Sequence, residues 1–217
     1  MQEALRRYVP ASVAAAIGSG HDLEPVERDV TVLFVDLRGY TAMCEPLQPE
    51  EIFSAVNRYT EAVSAVLRRH GATIVEFNGD GMMAMLGAPE PMPDRETCAV
   101  RAACELIGAV ATLGAGPSGG APLAVGVGIA TGPAFVGNIR SADRLIWTAV
   151  GNTVNLAARL QGLTRDVDAA VAVDERTYRA AGDAARDFRR QEAVLIRGRR
   201  DPEDVYVLPR ADRAAAA

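Results

Sequence analysis

Residues 30–41 read VTVLFVDLRGYT, and this stretch decides the fold. Val30–Val35 is a continuous apolar run, which is typical of a central strand covered on both faces. The run ends at Asp36, and residues 37–41 are expected to form a loop. Pro49 then opens a long predicted helix that closes at Gly71, because proline favours the first helical turn and glycine the end.

The remaining segments alternate between strand and helix patterns. Residues 72–77 and 82–86 are predicted strands joined by an Asn-Gly turn, a strong hairpin signal. A second helix is expected over 95–113, followed by a Gly-rich surface loop. Strands are then predicted at 123–129 and 134–138, on either side of a turn at Thr131-Gly132, and at 145–150. A helix capped by Asn152 or Thr153 is expected to run to about Leu163. The last predicted elements are strand 169–173, a short helix capped by Asp174, and a terminal pair of strands, 194–196 with 205–208.

This order predicts an α+β fold with a ferredoxin-like βαββαβ core, helices on one face of the sheet, and extra C-terminal αβ elements. Residues 28–209 form the predicted domain. Residues 1–27, a helical pattern broken at Pro10, are interpreted as a linker or signalling segment outside the core. Residues 210–217 are expected to be a disordered tail.

Composition excludes several chemistries. The 217-residue chain contains 23 arginines and no lysine, so it can carry neither a P-loop lysine nor a Schiff-base lysine. Two distant histidines argue against a Ser-His-Asp triad. A net charge of −5 argues against nucleic acid or an anionic membrane as the main partner. No apolar run approaches the length of a membrane span, and three cysteines without zinc spacing favour a reducing compartment, so a cytoplasmic location is expected.

Two aspartates are placed to bind metal. Asp36 follows the first strand, and Asp80 lies in the hairpin turn of residues 77–83, FNGDGMM. In a βαββ sheet the first strand lies beside this hairpin, so the two carboxylates can converge. With the backbone carbonyl of Leu37 they suit Mg²⁺ or Mn²⁺, which share their coordination with phosphate oxygens. The backbone N–H groups of Gly39, Tyr40 and Thr41 can then face a polyphosphate.

Four segments in order resemble the catalytic domain of class III nucleotidyl cyclases: VTVLFVDLRGYT (30–41), VEFNGDGMMAMLGAP (75–89), VGVGIATG (125–132) and AVGNTVNLAARL (149–160). The similarity runs from about residue 28 to residue 208. It implies a homodimer with two sites at the subunit interface, two divalent metal ions, Mg²⁺ or Mn²⁺, held by Asp36 and Asp80, and a nucleoside triphosphate substrate.

The resemblance also assigns roles to residues of the second chain. Asn155 would orient the ribose, and Arg159 would stabilise charge on the α-phosphate. Their spacing of four residues places both side chains on one face of a helix. Arg197 stands where the family usually has a lysine that contacts the terminal phosphates, and it keeps the positive charge.

Two positions bear on the choice of base. Glu76 stands where adenylate cyclases usually carry lysine, and in this it resembles guanylate cyclases; Thr148, at the second position, resembles bacterial adenylate cyclases. A carboxylate only accepts hydrogen bonds, and guanine presents N1–H and N2–H₂ as adjacent donors. Glu76 therefore favours GTP and cyclic GMP over ATP and cyclic AMP, whereas Thr148 fits either base.

Three alternatives remain at this point. The chain could make cyclic AMP from ATP, or it could be a non-catalytic regulatory module descended from cyclases. A diguanylate-type cyclase would require a contiguous GG[DE]EF turn, which FNGDGM lacks.

The segment before residue 28 is expected to join the domain to an upstream sensory domain.

Overall fold

The computed structural model describes residues 10–18, 24–114, 122–140 and 145–210. Elements are numbered here in chain order. The strands are β1 (Val26–Leu37), β2 (Thr73–Asn78), β3 (Gly81–Leu86), β4 (Val125–Arg140), β5 (Leu145–Val150), β6 (Ala169–Asp174), β7 (Arg189–Val194) and β8 (Glu203–Pro209). The helices are α1 (Ala11–Gly18), α2 (Tyr40–Cys44), α3 (Pro49–Arg69), α4 (Arg95–Ala111), α5 (Asn152–Asp166) and α6 (Glu175–Ala181), and a 3₁₀ turn follows at Gly182–Ala185.

The described strands form one sheet in the order β2-β3-β1-β4-β6-β8-β7, and β5 pairs with β4 as a hairpin. Strand β1 is antiparallel to both β3 and β4. The first four strands therefore have the order 2-3-1-4 of a ferredoxin-like core, as predicted. Strands β6 to β8 extend this core beyond β4, and β6 runs parallel to β4.

Two hydrophobic clusters cover opposite faces of the sheet. Leu33 and Val35 of β1 pack with residues of α3 and α4 on one face. Val30 and Val32 of β1 pack with α5 on the other. The expectation of helices on one face is right for α3 and α4 but wrong for α5, because β1 is apolar on both sides and each side requires cover.

The N-terminal helix also joins the second cluster. Val13 of α1 is buried among the residues of that cluster, so this part of the segment packs onto the domain. Residues 1–9 and 19–23 of the predicted linker, and residues 211–217 of the predicted tail, lie outside the described residues. No helix in the described part of the chain is long and apolar enough to cross a membrane.

The predicted break in β4 is wrong. Strand β4 is continuous through Thr131 and Gly132, which pair with Thr31 and Val30 of β1. The Thr131 hydroxyl lies 2.9 Å from that of Thr31 and 2.8 Å from that of Thr177 in the buried interior. This hydroxyl chain satisfies the polar groups that a fully buried strand must pair.

Several boundaries also differ from the predictions. Helix α2 begins at Tyr40, inside the expected loop. Helix α5 has Gly151 at its N-cap, without a side-chain cap, and Thr153 instead donates to the carbonyl of Pro133 at 2.8 Å. The strand that pairs with β8 is 189–194, earlier than expected. Asp174 caps α6 as predicted, accepting from the amide of Thr177 at 3.1 Å.

Helix α5 lies against β4 at a glycine. A Cβ built on Gly128 would lie 2.1 Å from the backbone nitrogen of Gln161 and 2.3 Å from the carbonyl oxygen of Ala157. Only hydrogen fits between these two backbones, so Gly128 sets the distance of α5 from the sheet.

We predict that Gly128→Ala destabilises the domain by about 3 kcal/mol or more, since the methyl group forces α5 off the sheet. Gly162→Ala is the matched control: a Cβ at this exposed helical position meets nothing within 4 Å. It should stabilise the domain by about 0.5–1 kcal/mol, as alanine favours helix. Urea unfolding of both variants measures the difference. Equal free energies of unfolding for the Gly128→Ala and Gly162→Ala variants would contradict the close contact of α5 with β4 at Gly128.

Candidate active site

Two carboxylates meet at the end of β1. Asp36 is paired in register with Gly81, the first residue of β3, and Asp80 precedes Gly81 in the hairpin turn. The pairing therefore places the two aspartates side by side, as the sequence predicts. The Asp36 side chain is 20 % exposed and remains accessible from the cavity beside it.

The proximity of the two carboxylates affects their electrostatics. Burial raises the pKa of the Asp80 carboxyl, and the negative charge of Asp36 raises it further. Tyr59 of α3 lies within the electrostatic range of the pair: its phenol is buried, and its hydroxyl has no hydrogen-bond partner among the described residues. Burial, followed by the charges of Asp36 and Asp80, raises the pKa of Tyr59. A concentrated negative field at this point attracts a cation.

The aspartates open into a cavity of about 490 Å³. Glu76 and Asn78 of β2 line the same cavity, together with Gln161 and Arg165 of α5. Glu76 is exposed. The structure thus brings the predicted metal aspartates and the predicted base-reading glutamate into one concave site.

The donor set suits a hard divalent cation. Asp36 and Asp80 offer carboxylate oxygens, the ligand type that Mg²⁺ and Mn²⁺ prefer. Within the described residues, no group of three or more acidic, histidine or cysteine side chains could hold a metal. The remaining ligands would then be side-chain amide, backbone, water or substrate oxygens, and Asn78 and Gln161 line the same cavity. Leu37 has a hydrocarbon side chain, so it could contribute only its backbone carbonyl oxygen.

The predicted phosphate loop is shorter than expected. Gly39 has a left-handed φ of 70°, which lets the chain turn from β1 into α2. Tyr40 and Thr41 belong to that short helix rather than to a loop. The amide of Arg38 donates to the carbonyl of Ala124 at 2.7 Å. Gly39, Tyr40 and Thr41 nevertheless lie three to five residues after Asp36 along the chain.

Two polar residues that line the cavity, Gln161 and Arg165, were missed by sequence reasoning. Arg165 forms an ion pair with Asp36 through Nη2 and Oδ2. Gln161 donates to the same oxygen at 3.4 Å. Arg38 donates to the carbonyls of Thr164 at 2.9 Å and Ala169 at 2.6 Å, which ties the end of β1 to the end of α5. The four-residue spacing of Gln161 and Arg165 indicates that both side chains lie on one helix face, but it does not show that this face meets Asp36.

Asn155 and Arg159 lie elsewhere on α5. A separation of two residues turns a helix by about 200°, so Arg159 points away from the face that carries Gln161. The Arg159 guanidinium packs against Gly198, where an added Cβ would lie 3.0 Å from Nη2. Gly198 follows the exposed Arg197, so the structure brings Arg159 next to the loop that carries Arg197. Neither Asn155 nor Arg159 lines the cavity of Asp36 and Asp80.

Thr148 lies in the hairpin of β4 and β5, paired with Gly137. Four exposed apolar residues surround it on the same face, because directly paired and alternate residues share a face. These are Phe135 with Val150 and Ile139 with Ile146. We call these four residues the hairpin face.

Comparison with known proteins gives a consistent result. The sequence profile described as the adenylate and guanylate cyclase catalytic domain matches residues 24–210. Adenylate cyclase 1 of Rhizobium meliloti is 31 % identical over 92 % of this chain, and an adenylate cyclase of Anabaena cylindrica is 30 % identical over 82 %. These alignments cover 30 % and 36 % of the two relatives, so the chain spans about a third of their length.

Solved structures share the fold. The guanylyl cyclase Cya2 is 31 % identical with a TM-score of 0.76, over 88 % of this chain and 97 % of that one. The adenylyl cyclase CyaB from P. aeruginosa is 27 % identical with a TM-score of 0.77, over 88 % and 98 %. The sheet order, the paired aspartates and this match over most of the chain lead to one conclusion: the chain belongs to the adenylate and guanylate cyclase catalytic domain family, the class III nucleotidyl cyclases.

Proposed function

We propose that the domain converts GTP to 3′,5′-cyclic GMP and pyrophosphate in the cytoplasm, as a homodimer that holds two divalent ions, Mg²⁺ or Mn²⁺, at each site. The observation that carries the proposal is the shared cavity of Asp36, Asp80 and Glu76. The aspartates supply a metal site for a polyphosphate, and Glu76 supplies an acceptor for a base. Membership of the cyclase family supports the same reaction.

In this proposal each site is built from two chains. Asn155 and Arg159 carry the chemistry expected at a triphosphate, yet neither lines the cavity of the aspartates of its own chain. A two-fold axis would bring the two groups of residues together, because each chain then presents its aspartates to the Asn155 and Arg159 of its copy. The hairpin face supports such a contact, since it clusters four exposed apolar side chains around Thr148.

The reaction is an intramolecular displacement. The ribose 3′-hydroxyl gives its proton to Asp36, water or the substrate's own phosphate, and its oxygen forms a bond to the α-phosphorus as the bond to pyrophosphate breaks in line. Bound divalent ions would lower the pKa of the 3′-hydroxyl and offset the triphosphate charge. Asn155 of the copy holds the ribose, and Arg159 donates its fork of N–H groups to the charge that develops on the α-phosphate. The terminal phosphates are held by Arg197 of the copy, which lies in the loop beside Arg159, and by the backbone of Gly39–Thr41.

Glu76 selects the base. Its carboxylate accepts from both N1–H and N2–H₂ of guanine, whereas adenine N1 would face it lone pair to lone pair. Thr148 donates to guanine O6 in this arrangement. The second candidate is an adenylate cyclase: the Thr148 hydroxyl could equally accept from adenine N6, and the two curated relatives above are named adenylate cyclases. A non-catalytic regulatory module would bind nucleotide without turning it over.

The segment before residue 28 is proposed to connect the domain to an upstream sensory domain. Pro25 lies against β4, since a Cβ on Gly137 would be 2.5 Å from its Cα, and Val13 is buried in the second core cluster. The first contact places Pro25 against the hairpin that carries Thr148. Deletion of the segment with unchanged dimerisation and activity would argue against this role.

We predict that the purified protein with Mn²⁺ and GTP forms cyclic GMP, and that Asp36→Asn lowers kcat by at least about 10²–10³-fold through loss of a metal ligand. Asp183→Asn, at an exposed 3₁₀ turn, should leave the rate within twofold. Chromatography of the products measures both. Absence of cyclic product from both GTP and ATP would exclude the cyclase and favour the regulatory module.

We predict that Glu76→Lys lowers the ratio of kcat/KM for GTP over ATP by at least about a hundredfold, because a lysine donates to adenine N1 and repels the guanine donors. Glu61→Lys is the matched control, an equal charge reversal at an exposed position of α3. Side-by-side assays with both nucleotides measure the ratio. If Glu76→Lys leaves it unmoved, Glu76 does not read the base.

A further inference from the structure

The carboxylate of Asp36 already has a cationic partner from its own chain. Arg165 of α5 pairs with Oδ2 through Nη2, and Gln161 donates to the same oxygen. Both contacts come from the end of the helix opposite to the one that carries Asn155. Arg165 and Gln161 together occupy both lone pairs of Oδ2, so a divalent ion that binds this oxygen must displace a donor, and its charge repels the Arg165 guanidinium.

The neighbouring charges explain why an arginine is held there. Asp36 and Asp80 are like charges side by side, and their mutual repulsion is reduced when a cation is present. Arg38 also lies near the pair, but its guanidinium donates to the carbonyls of Thr164 and Ala169. Arg165 is therefore the guanidinium that neutralises Asp36.

The side chain of Arg165 is able to leave. It is 57 % exposed, and it lies at the rim of the cavity on a long, flexible stem. Exposed ion pairs contribute little net free energy, so a divalent ion with a higher charge can displace it. Asp36, by contrast, is 20 % exposed and fixed at a strand end, and it stays in place during this exchange.

We propose that Arg165 is a positioning residue that competes with the divalent ion for Asp36: it holds the carboxylate pair together before the metal enters and is displaced by it. The proposal rests on the proposed function, because it takes the pair to be a metal site. It assigns to Arg165 a part in setting the metal affinity of the domain.

The test measures Mn²⁺ binding to the full chain without nucleotide. The electron paramagnetic resonance signal of the unbound ion gives the bound fraction. Arg165→Gln should bind Mn²⁺ roughly two- to tenfold more tightly than the original chain, because one competing charge is gone. Arg179→Gln is the matched control. Arg179 forms an exposed pair with Glu175 at 2.6 Å on α6, which contributes no residue to the cavity, and its loss should leave the Mn²⁺ affinity unchanged.

Thermal unfolding supplies a second readout. Arg165→Gln should unfold at a lower temperature in EDTA, where the aspartates repel each other, and should recover in saturating Mn²⁺. The gap in Tm between the two conditions is then larger than in the original chain. A merely structural loss would lower both Tm values together and leave the gap unchanged.

The outcomes separate the two proposals. Equal or weaker Mn²⁺ binding by Arg165→Gln, with binding that still depends on Asp36, overturns the competition and leaves the metal site intact. Mn²⁺ binding that survives Asp36→Asn, or no binding by the original chain, overturns the metal site and the competition with it. Tighter binding together with a wider Tm gap supports the proposal.

Discussion

The antiparallel register of β1 with β3 is the constraint on which the site depends. It pairs Asp36 with Gly81 and so sets Asp80 beside Asp36. A slip by one residue would turn Asp36 to the opposite face and expose the apolar residues that fill the two clusters. The packing of both faces of β1 therefore fixes the position of the carboxylates. The same apolar burial that stabilises the sheet holds the charged site in place.

Helix α5 connects that site to the rest of the molecule. Gly128 allows its backbone to lie directly on β4, and Arg38 ties its C-terminal end to the end of β1. One face of the helix then meets Asp36 through Gln161 and Arg165. Arg159 points away from that face, beside the loop of Arg197. One helix thus carries polar groups that point in two directions, as the proposed two-chain site requires.

The sequence alone predicted much of this arrangement. The apolar run of β1, the Asn-Gly hairpin and the helix that begins at Pro49 follow from local patterns, and together they predict the ferredoxin-like core and the meeting of Asp36 with Asp80. The break in β4 was predicted wrongly because Thr131-Gly132 looks like a turn. The hydroxyl of Thr131 is paired instead with those of Thr31 and Thr177, which are distant in sequence. Arg165 was missed for the same reason: its contact with Asp36 depends on how α5 packs on the sheet, which no local pattern shows.

The central claim is that Asp36 of one chain acts with Arg159 of another. The most direct measurement mixes two inactive chains, Asp36→Asn and Arg159→Ala, under conditions that let subunits exchange, and records the rate of cyclic nucleotide formation. A mixed dimer contains one intact site, so random exchange should restore about a quarter of the original activity. A mixture no more active than its two components would contradict the claim.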